Sequence, residues 1–183
     1  MKNIYISVLI ANYNGEKYIN RCLKSCINQK TKKNYEIIFI DDNSTDHSLD
    51  KAKKYNNKVK IISTDKSQNI SRFNTFYQLN TYFTGYKKAK GKIICFLDSD
   101  DFFKKNKLKE IELNFLKKKN LKFIFDLPIL INSKGNIKNT SYKYGFRDGK
   151  WPKFPPQSCM SVKRNIIDKN IKKLFKKKFH LTT

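Results

Sequence analysis

Ile93-Ile94-Cys95-Phe96-Leu97-Asp98-Ser99-Asp100-Asp101-Phe102-Phe103 is an apolar run that ends in three carboxylates within four residues. Five consecutive apolar residues predict a strand buried on both faces, and such a strand belongs in the middle of a parallel sheet covered by helices. The carboxylates then emerge at the strand's C-terminal edge, where open α/β sheets bind their ligands. Hard oxygen donors gathered there suit a divalent cation that also holds phosphate oxygens. The pattern points to an enzyme that handles a nucleotide diphosphate.

Upstream of this strand, strands and helices alternate. A strand at 4–11 leads to a helix at 16–28, in which Tyr18, Ile19, Cys22, Leu23 and Cys26 give one apolar face. A second strand at 35–40 runs into Asp41-Asp42-Asn43-Ser44-Thr45-Asp46, and Ser44 or Thr45 is the expected cap of a helix at 47–55. A third strand at 59–63 and a helix at 73–90 follow, and Gly91 is expected to end that helix. The β-α-β-α-β-α-β order predicts an α/β fold with a mostly parallel, doubly wound sheet and right-handed crossovers.

Downstream of Asp101 the pattern changes. A lysine-rich helix at 104–119 precedes a strand at 121–125 and a hairpin of 129–132 with 137–142 around Ser133-Lys134-Gly135-Asn136. Aromatic and proline-rich sequence then includes Trp151-Pro152 and Phe154-Pro155-Pro156, before a short strand at 158–162 and a final basic helix. With no internal repeat and no flexible linker, residues 1–183 read as a single domain whose two parts, 1–103 and 104–183, meet near residue 103.

Composition limits the alternatives. The chain has 183 residues and no apolar run long enough to span a membrane, and it passes from Met1-Lys2-Asn3 straight into a strand-like segment, so a cytoplasmic location is expected. Its four cysteines include no Cys-x-x-Cys pair and read as reduced, structural thiols. The net charge of +25 suggests an anionic partner, yet 36 of the 40 basic residues are lysine. Nucleic-acid recognition favours the forked guanidinium of arginine, so nucleic acid is not an expected partner. The lysine excess reads first as a residue-usage bias spread over a solvated surface, and what remains of a functional reading is attraction to an anionic membrane surface or an acidic glycan. The densest basic block lies at 169–178, where Ile166, Ile167, Ile171, Leu174, Phe175 and Phe179 recur at helical spacing.

Three blocks, taken in order, carry a family resemblance. Ser7-Val8-Leu9-Ile10-Ala11-Asn12-Tyr13-Asn14, Glu36-Ile37-Ile38-Phe39-Ile40-Asp41-Asp42-Asn43-Ser44-Thr45-Asp46 and Gly91-Lys92-Ile93-Ile94-Cys95-Phe96-Leu97-Asp98-Ser99-Asp100-Asp101 together resemble the family 2 glycosyltransferases of the GT-A fold. The resemblance covers about residues 4 to 103. It implies a nucleotide-sugar-binding part at 1–103, an acceptor-side part at 104–183, and inverting transfer from a nucleotide-diphosphate sugar, a UDP-sugar by preference, to a glycan or lipid-linked acceptor. One fold hosts many chemistries, so neither the sugar nor the linkage follows.

The resemblance also implies roles. Ala11 and Tyr13 match positions that contact the uridine base, and Asp42 matches the acid that hydrogen-bonds the pyrimidine. Arg72 occupies the place from which a basic residue reaches base or phosphates, although Ser71-Arg72-Phe73-Asn74-Thr75 follows the family pattern only loosely. Asp98 and Asp100 match an Asp-x-Asp pair, with Asp100 the direct ligand of Mg²⁺ or Mn²⁺ and Asp98 reaching the ribose or supporting the ligands. Asp101 reads as a cap or a supporting group.

Inverting transfer needs a carboxylate to take the acceptor hydroxyl's proton. The acids after Asp101 are Glu110, Glu112, Asp126, Asp148 and Asp168, and Glu110 and Glu112 are expected on a solvated helix face. Asp148, in the loop Gly145-Phe146-Arg147-Asp148-Gly149, is the candidate base, and His180 is a second candidate. Trp151 and Phe154 are candidates to line an acceptor groove. Family members continue for many tens of residues beyond the point matching Thr183. A C-terminally truncated piece, with its base further on, is therefore the other expectation, and a non-catalytic nucleotide-sugar-binding remnant or a basic membrane- or nucleic-acid-binding module is the alternative function. A receiver-type carboxylate site is disfavoured because the first strand ends in Ala11-Asn12-Tyr13 without an acid. A dinucleotide fold is disfavoured because residues 11–17 contain a single glycine.

Overall fold

The computed structural model describes residues 3–64, 75–132, 135–138 and 156–176, with side chains given outside 75–77 and 172–176. In chain order the described elements are β1 (Ile6–Asn12), α1 (Ile19–Ile27), β2 (Tyr35–Asp41), α2 (Ser48–Lys53), β3 (Lys60–Ser63), α3 (Thr75–Lys88), β4 (Ile93–Asp98), α4 (Lys107–Lys117), β5 (Phe123–Phe125), β6 (Met160–Lys163) and α5 (Arg164–Lys176). The strands form one sheet in the order β3-β2-β1-β4-β6-β5. β3, β2, β1 and β4 are parallel, whereas β6 runs antiparallel to both β4 and β5. The expected α/β sheet is therefore present, with a short antiparallel edge added by the last third of the chain.

The central strands are continuous apolar runs because both their faces are covered. On one face Val8, Ile10, Phe39, Cys95 and Leu97 pack with Ile19, Leu23 and Cys26 of α1 and Leu108, Ile111 and Phe115 of α4. On the other, Leu9, Ile38, Ile40 and Ile94 pack with Tyr82 and Tyr86 of α3, and Ile166, Ile167 and Ile171 of α5 lean on that cluster. The apolar stripe of α5, as far as Ile171, is thus committed to the protein's own core. All four cysteines are free and buried, and burial pushes the Cys95 thiol up to about 11, in keeping with structural thiols. No described helix is long and apolar enough to cross a membrane.

Several local expectations are corrected. Gly91 does not end α3 in a left-handed turn, for among the described glycines only Gly135 has positive φ. It is needed instead where β1 and β4 meet, because a Cβ there would lie 2.4 Å from the Ser7 amide nitrogen. The residue at the cap of α2 is His47, with no side-chain cap bond, so neither Ser44 nor Thr45 serves; Asp46, just before it, accepts from the Ser48 amide through Oδ1 at 2.9 Å. The two segments of the expected hairpin do meet in an antiparallel bridge, Ile131 with Ile137, flanked by donation of the Lys138 amide to the Leu130 carbonyl at 2.8 Å, and 133–134 and 139–142 lie outside the described residues. Glu112 is buried, not solvated. It accepts from Thr31 Oγ1 at 2.6 Å and from the Lys32 amide at 3.1 Å, tying α4 to the turn that precedes β2.

Candidate functional site

β1, β2 and β4 end side by side, with Ala11 opposite both Ile40 and Asp98, and Asn12 opposite Asp41. This register brings the polar residues after three separate apolar strands to one edge. Ser99 continues the pairing by donating its amide to the Ala11 carbonyl at 3.0 Å, and Asp101 folds back to donate to the Asp98 carbonyl at 3.0 Å. The three acids are thereby held in a tight turn at the end of β4.

Asp98 is gripped from two directions. Its Oδ1 accepts from Gln78 Nε2 and from Tyr82 Oη, both at 2.7 Å, and these two residues stand one turn apart on α3. Its amide donates to Ser158 Oγ at 3.0 Å, so the segment leading into β6 supports the same residue. Burial pushes the Asp98 carboxyl up, the bonds from Tyr82 and Gln78 pull it down, and the charges of Asp100 and Asp101 push it up again; the balance lies above the ordinary value. Burial and then the Asp98 charge raise the Tyr82 hydroxyl well above its usual range.

Asp100 is exposed at the tip of this turn. Two carboxylates beside one another, one exposed and one half-buried among like charges, gain from a cation between them. Among the described residues no group of three or more His, Cys, Asp or Glu could enclose a metal alone. An arrangement of one or two carboxylates completed by phosphate oxygens and water is the mode by which Mg²⁺ is held on nucleotides, and the site fits that mode.

The second acidic cluster follows β2. Asn12, only 2% exposed, donates from Nδ2 to Asp41 Oδ1 at 2.9 Å and lies 3.0 Å from both Ser44 Oγ and Ser48 Oγ. Asn14 and Asn43 both have positive φ, a conformation asparagine tolerates better than most residues. Asn14 Oδ1 accepts from the Thr45 amide at 2.8 Å, which joins the loop after β1 to the loop after β2. Gly15 is required between them, because a Cβ there would come within 2.3 Å of Asn12 Oδ1 and 2.6 Å of Ser99 Oγ. Asp42, next to this frame, accepts from Thr64 Oγ1 at 2.6 Å.

Ala11, Tyr13, Asp42, Asp98 and Asp100 thus gather at or just beyond one sheet edge, with Tyr13 substantially exposed. Arg72, Asp148, Trp151, Phe154 and His180 lie outside the described residues. Of the other acids of the second part, three are engaged elsewhere: Asp126 pairs with Lys107, Asp168 accepts from the Tyr86 hydroxyl, and Glu112 holds the turn at 31–33, while Glu110 is exposed on α4. Gln78, Tyr82, Thr64 and Ser158 belong to the site but give no signal as single residues. The one clue in the sequence is the i, i+4 spacing of Gln78 and Tyr82 ahead of the Asp-x-Asp strand.

Residues 7–175 match the model of glycosyl transferase family 2. Among curated relatives, the UDP-Glc:alpha-D-GlcNAc-diphosphoundecaprenol beta-1,3-glucosyltransferase WfgD of Escherichia coli is 28% identical over 134 residues, covering 73% of this chain and 49% of its own. The crystal structure of Staphylococcus aureus TarS 1–349 in complex with UDP superposes with a TM-score of 0.64 at 21% identity, over 92% of this chain and 49% of that one. The mannosyltransferase PcManGT from Pyrobaculum calidifontis, in complex with GDP-Man and Mn²⁺, gives 0.59 at 11% identity, over 90% and 46%. At those identities the two structures establish the GT-A fold. The chain spans about half the length of the curated relatives it matches. With a family match over nearly its whole length and the motif acids on the sheet edge where that fold binds its ligands, this chain belongs to glycosyl transferase family 2.

Proposed function

We propose that this chain forms the donor-binding part of an inverting glycosyltransferase that uses a UDP-sugar and a divalent metal to glycosylate a glycan or lipid-linked acceptor. The observation that carries the reading is the convergence of Asp42, from β2, and Asp98 and Asp100, from β4, on the edge shared with Ala11 and Tyr13. In this reading residues 1–103 bind the donor. Ala11 and Tyr13 contact the base, Asp42 accepts a hydrogen bond from it, and Arg72 reaches base or phosphates. Asp98, its Oδ1 taken by Gln78 and Tyr82 and its Oδ2 approached by Ser158 Oγ at 3.4 Å, reaches the ribose or makes a supporting contact. Asp100 is the direct metal ligand. When bound there, Mg²⁺ or Mn²⁺ supplies charge neutralisation for the departing diphosphate. WfgD's name specifies a UDP-sugar donor and a lipid-linked acceptor, which supports the same classes here.

Residues 104–183 form the acceptor side, and Asp148 is the base proposed within this chain. A second reading, donor binding without transfer, is favoured by the commitment of Glu112, Asp126 and Asp168 to structural contacts. Attraction to an anionic membrane, in a protein working at the cytoplasmic face, would be electrostatic over the part of α5 whose apolar stripe packs on the core as far as Ile171.

Thermal melts with UDP, with and without Mn²⁺, test the donor site. Ligand at about 100 times its Kd adds ~2.7 kcal/mol, roughly 5–10 °C for a chain of this size. The expected result is a shift that requires Mn²⁺ in the wild type and is lost in Asp100→Asn, which keeps the unliganded melting temperature. An Asp100→Asn variant with the full Mn²⁺-dependent shift would remove Asp100 from the metal site. Sugar transfer measured on the same preparation separates the enzyme from the non-catalytic binder.

A further inference from the structure

Thr64 follows β3, is 5% exposed, and is fixed through its backbone by donation of its amide to the Asp41 carbonyl at 2.9 Å. Its hydroxyl lies 2.6 Å from Asp42 Oδ1 and 3.2 Å from Asn43 Nδ2. The chemistry of the three groups fixes the direction of both bonds. An amide NH₂ only donates and an ionised carboxylate only accepts, so the hydroxyl must accept from Asn43 and spend its single proton on Asp42. The result is a one-way relay, Asn43 to Thr64 to Asp42, with its first member held at a φ of 53°. The relay engages Oδ1 of Asp42, and Oδ2 is the oxygen it does not use.

We infer that Thr64 is a positioning residue for the base-reading carboxylate: its hydroxyl fixes the rotamer of Asp42 so that the opposite oxygen accepts a ring N–H of the donor's nucleobase. This rests on the proposed role of Asp42. Without the hydroxyl, Asp42 would have to be ordered at the moment of binding, and its Oδ1 would have to be desolvated without a partner. Hydrogen bonds to ionised groups are the stronger class, so the loss is measurable in affinity.

The test is calorimetric titration of UDP, with Mn²⁺ present, into wild type, Thr64→Ser, Thr64→Ala, Thr64→Val, Asp42→Ala and the Asp42→Ala/Thr64→Ala double variant. Thr64→Ser keeps the hydroxyl and should bind UDP as wild type does. Thr64→Ala and Thr64→Val should each lose roughly 10-fold in affinity, as for one hydrogen bond to a charged group. In the Asp42→Ala background the Thr64→Ala change should cost nothing further. Thr64→Ala differs from Thr64→Ser by one oxygen, so this pair decides the matter even if Thr64→Val fails to fold. Equal affinity in Ser and Ala variants overturns the relay, as does an additive double variant. If Asp42→Ala binds UDP like wild type, the base-reading role falls and the relay falls with it. If Asp42→Ala is weakened and Thr64→Ala is not, only the relay falls.

Discussion

The strand ends of β1, β2 and β4 and the stretch from β5 to Lys138 are both loop-rich edges of one sheet, and they are built on opposite principles. At the first edge almost every described polar side chain has a named partner: Asn12 holds Asp41, Thr64 holds Asp42, and α3 and Ser158 hold Asp98. At the second, β5 has three residues, Leu127 and Ile137 are 71% and 73% exposed, and among the described residues of 129–138 there is a single bridge. One edge is preorganised and therefore intolerant of change. The other has little packing to lose. If, as proposed, the first edge holds the donor and the second faces the acceptor, a donor common to many enzymes would suit a fixed receptacle and a variable acceptor a looser one.

Close packing also marks the opposite end of the same central strands, where β1 and β4 begin. Gly91→Ala would place a methyl 2.4 Å from the backbone nitrogen of Ser7, which cannot swing aside as a side chain can. The expected cost is about 3 kcal/mol, at the upper end for overpacking, or a melting temperature lower by roughly 6–12 °C. A melt unchanged from wild type would show that the start of β1 can move away from Gly91, and the close packing argued for the central strands would be broken.

The next effect concerns the fastening between the two parts. Glu112→Ala strands Thr31 Oγ1 and the Lys32 and Lys33 amides, and should cost ~1–3 kcal/mol in denaturant unfolding. Burial alone would push this carboxyl up, but the bonds from Thr31, Lys32 and Lys33 and the Lys33 charge hold it below its ordinary value of 4.5. A carboxyl lowered on folding binds fewer protons in the native state, so its stabilisation is present above 4.5 and is lost as the pH falls through the lowered value. Wild type should lose stability over that acid window by more than Glu112→Gln does. Parallel acid curves would show that the turn at 31–33 is held by something else.

The smallest effect is expected at the loose edge. Leu127→Lys and Ile137→Lys should each change stability by no more than about 0.5 kcal/mol, as surface substitutions usually do. A loss of several kcal/mol from either, by chemical unfolding, would mean that these side chains are covered, and the contrast between the two edges would disappear.

The same contrast explains what was legible in the sequence. β1, β2 and β4 announce themselves because a strand buried on both faces must be apolar throughout, and the acids that follow stand out against that background. β6 is also placed nearly where its sequence suggests, but its antiparallel pairing with β4 is not readable, since the partners Ile93 and Lys163 are joined by no local pattern. The burial of Glu112 could have been read from spacing. It stands with Leu108, Ile111 and Phe115 on the i, i+3, i+4, i+7 stripe of α4, and its charge is what argued for solvent. Tyr82, Gln78 and Thr64 were opaque for a different reason. Each is an ordinary residue of a helix or strand end, and only the approach of α3 and β3 to the acids gives it a task.

The antiparallel placement of β6 beside β4 sets an order of events during synthesis. β1, β2, β3 and β4 can assemble once about the first hundred residues are made, but until Met160–Lys163 emerge, β4 presents its free hydrogen-bonding edge to solvent. An unpaired edge on an apolar strand invites pairing with another chain. The nascent protein is therefore most prone to aggregate in the interval between completing its ligand-binding strands and sealing them, and contacts so distant in sequence are slow to form. Of the three parallel strands that end up flanked on both sides, the one that carries the Asp-x-Asp acids is the last to gain its second partner.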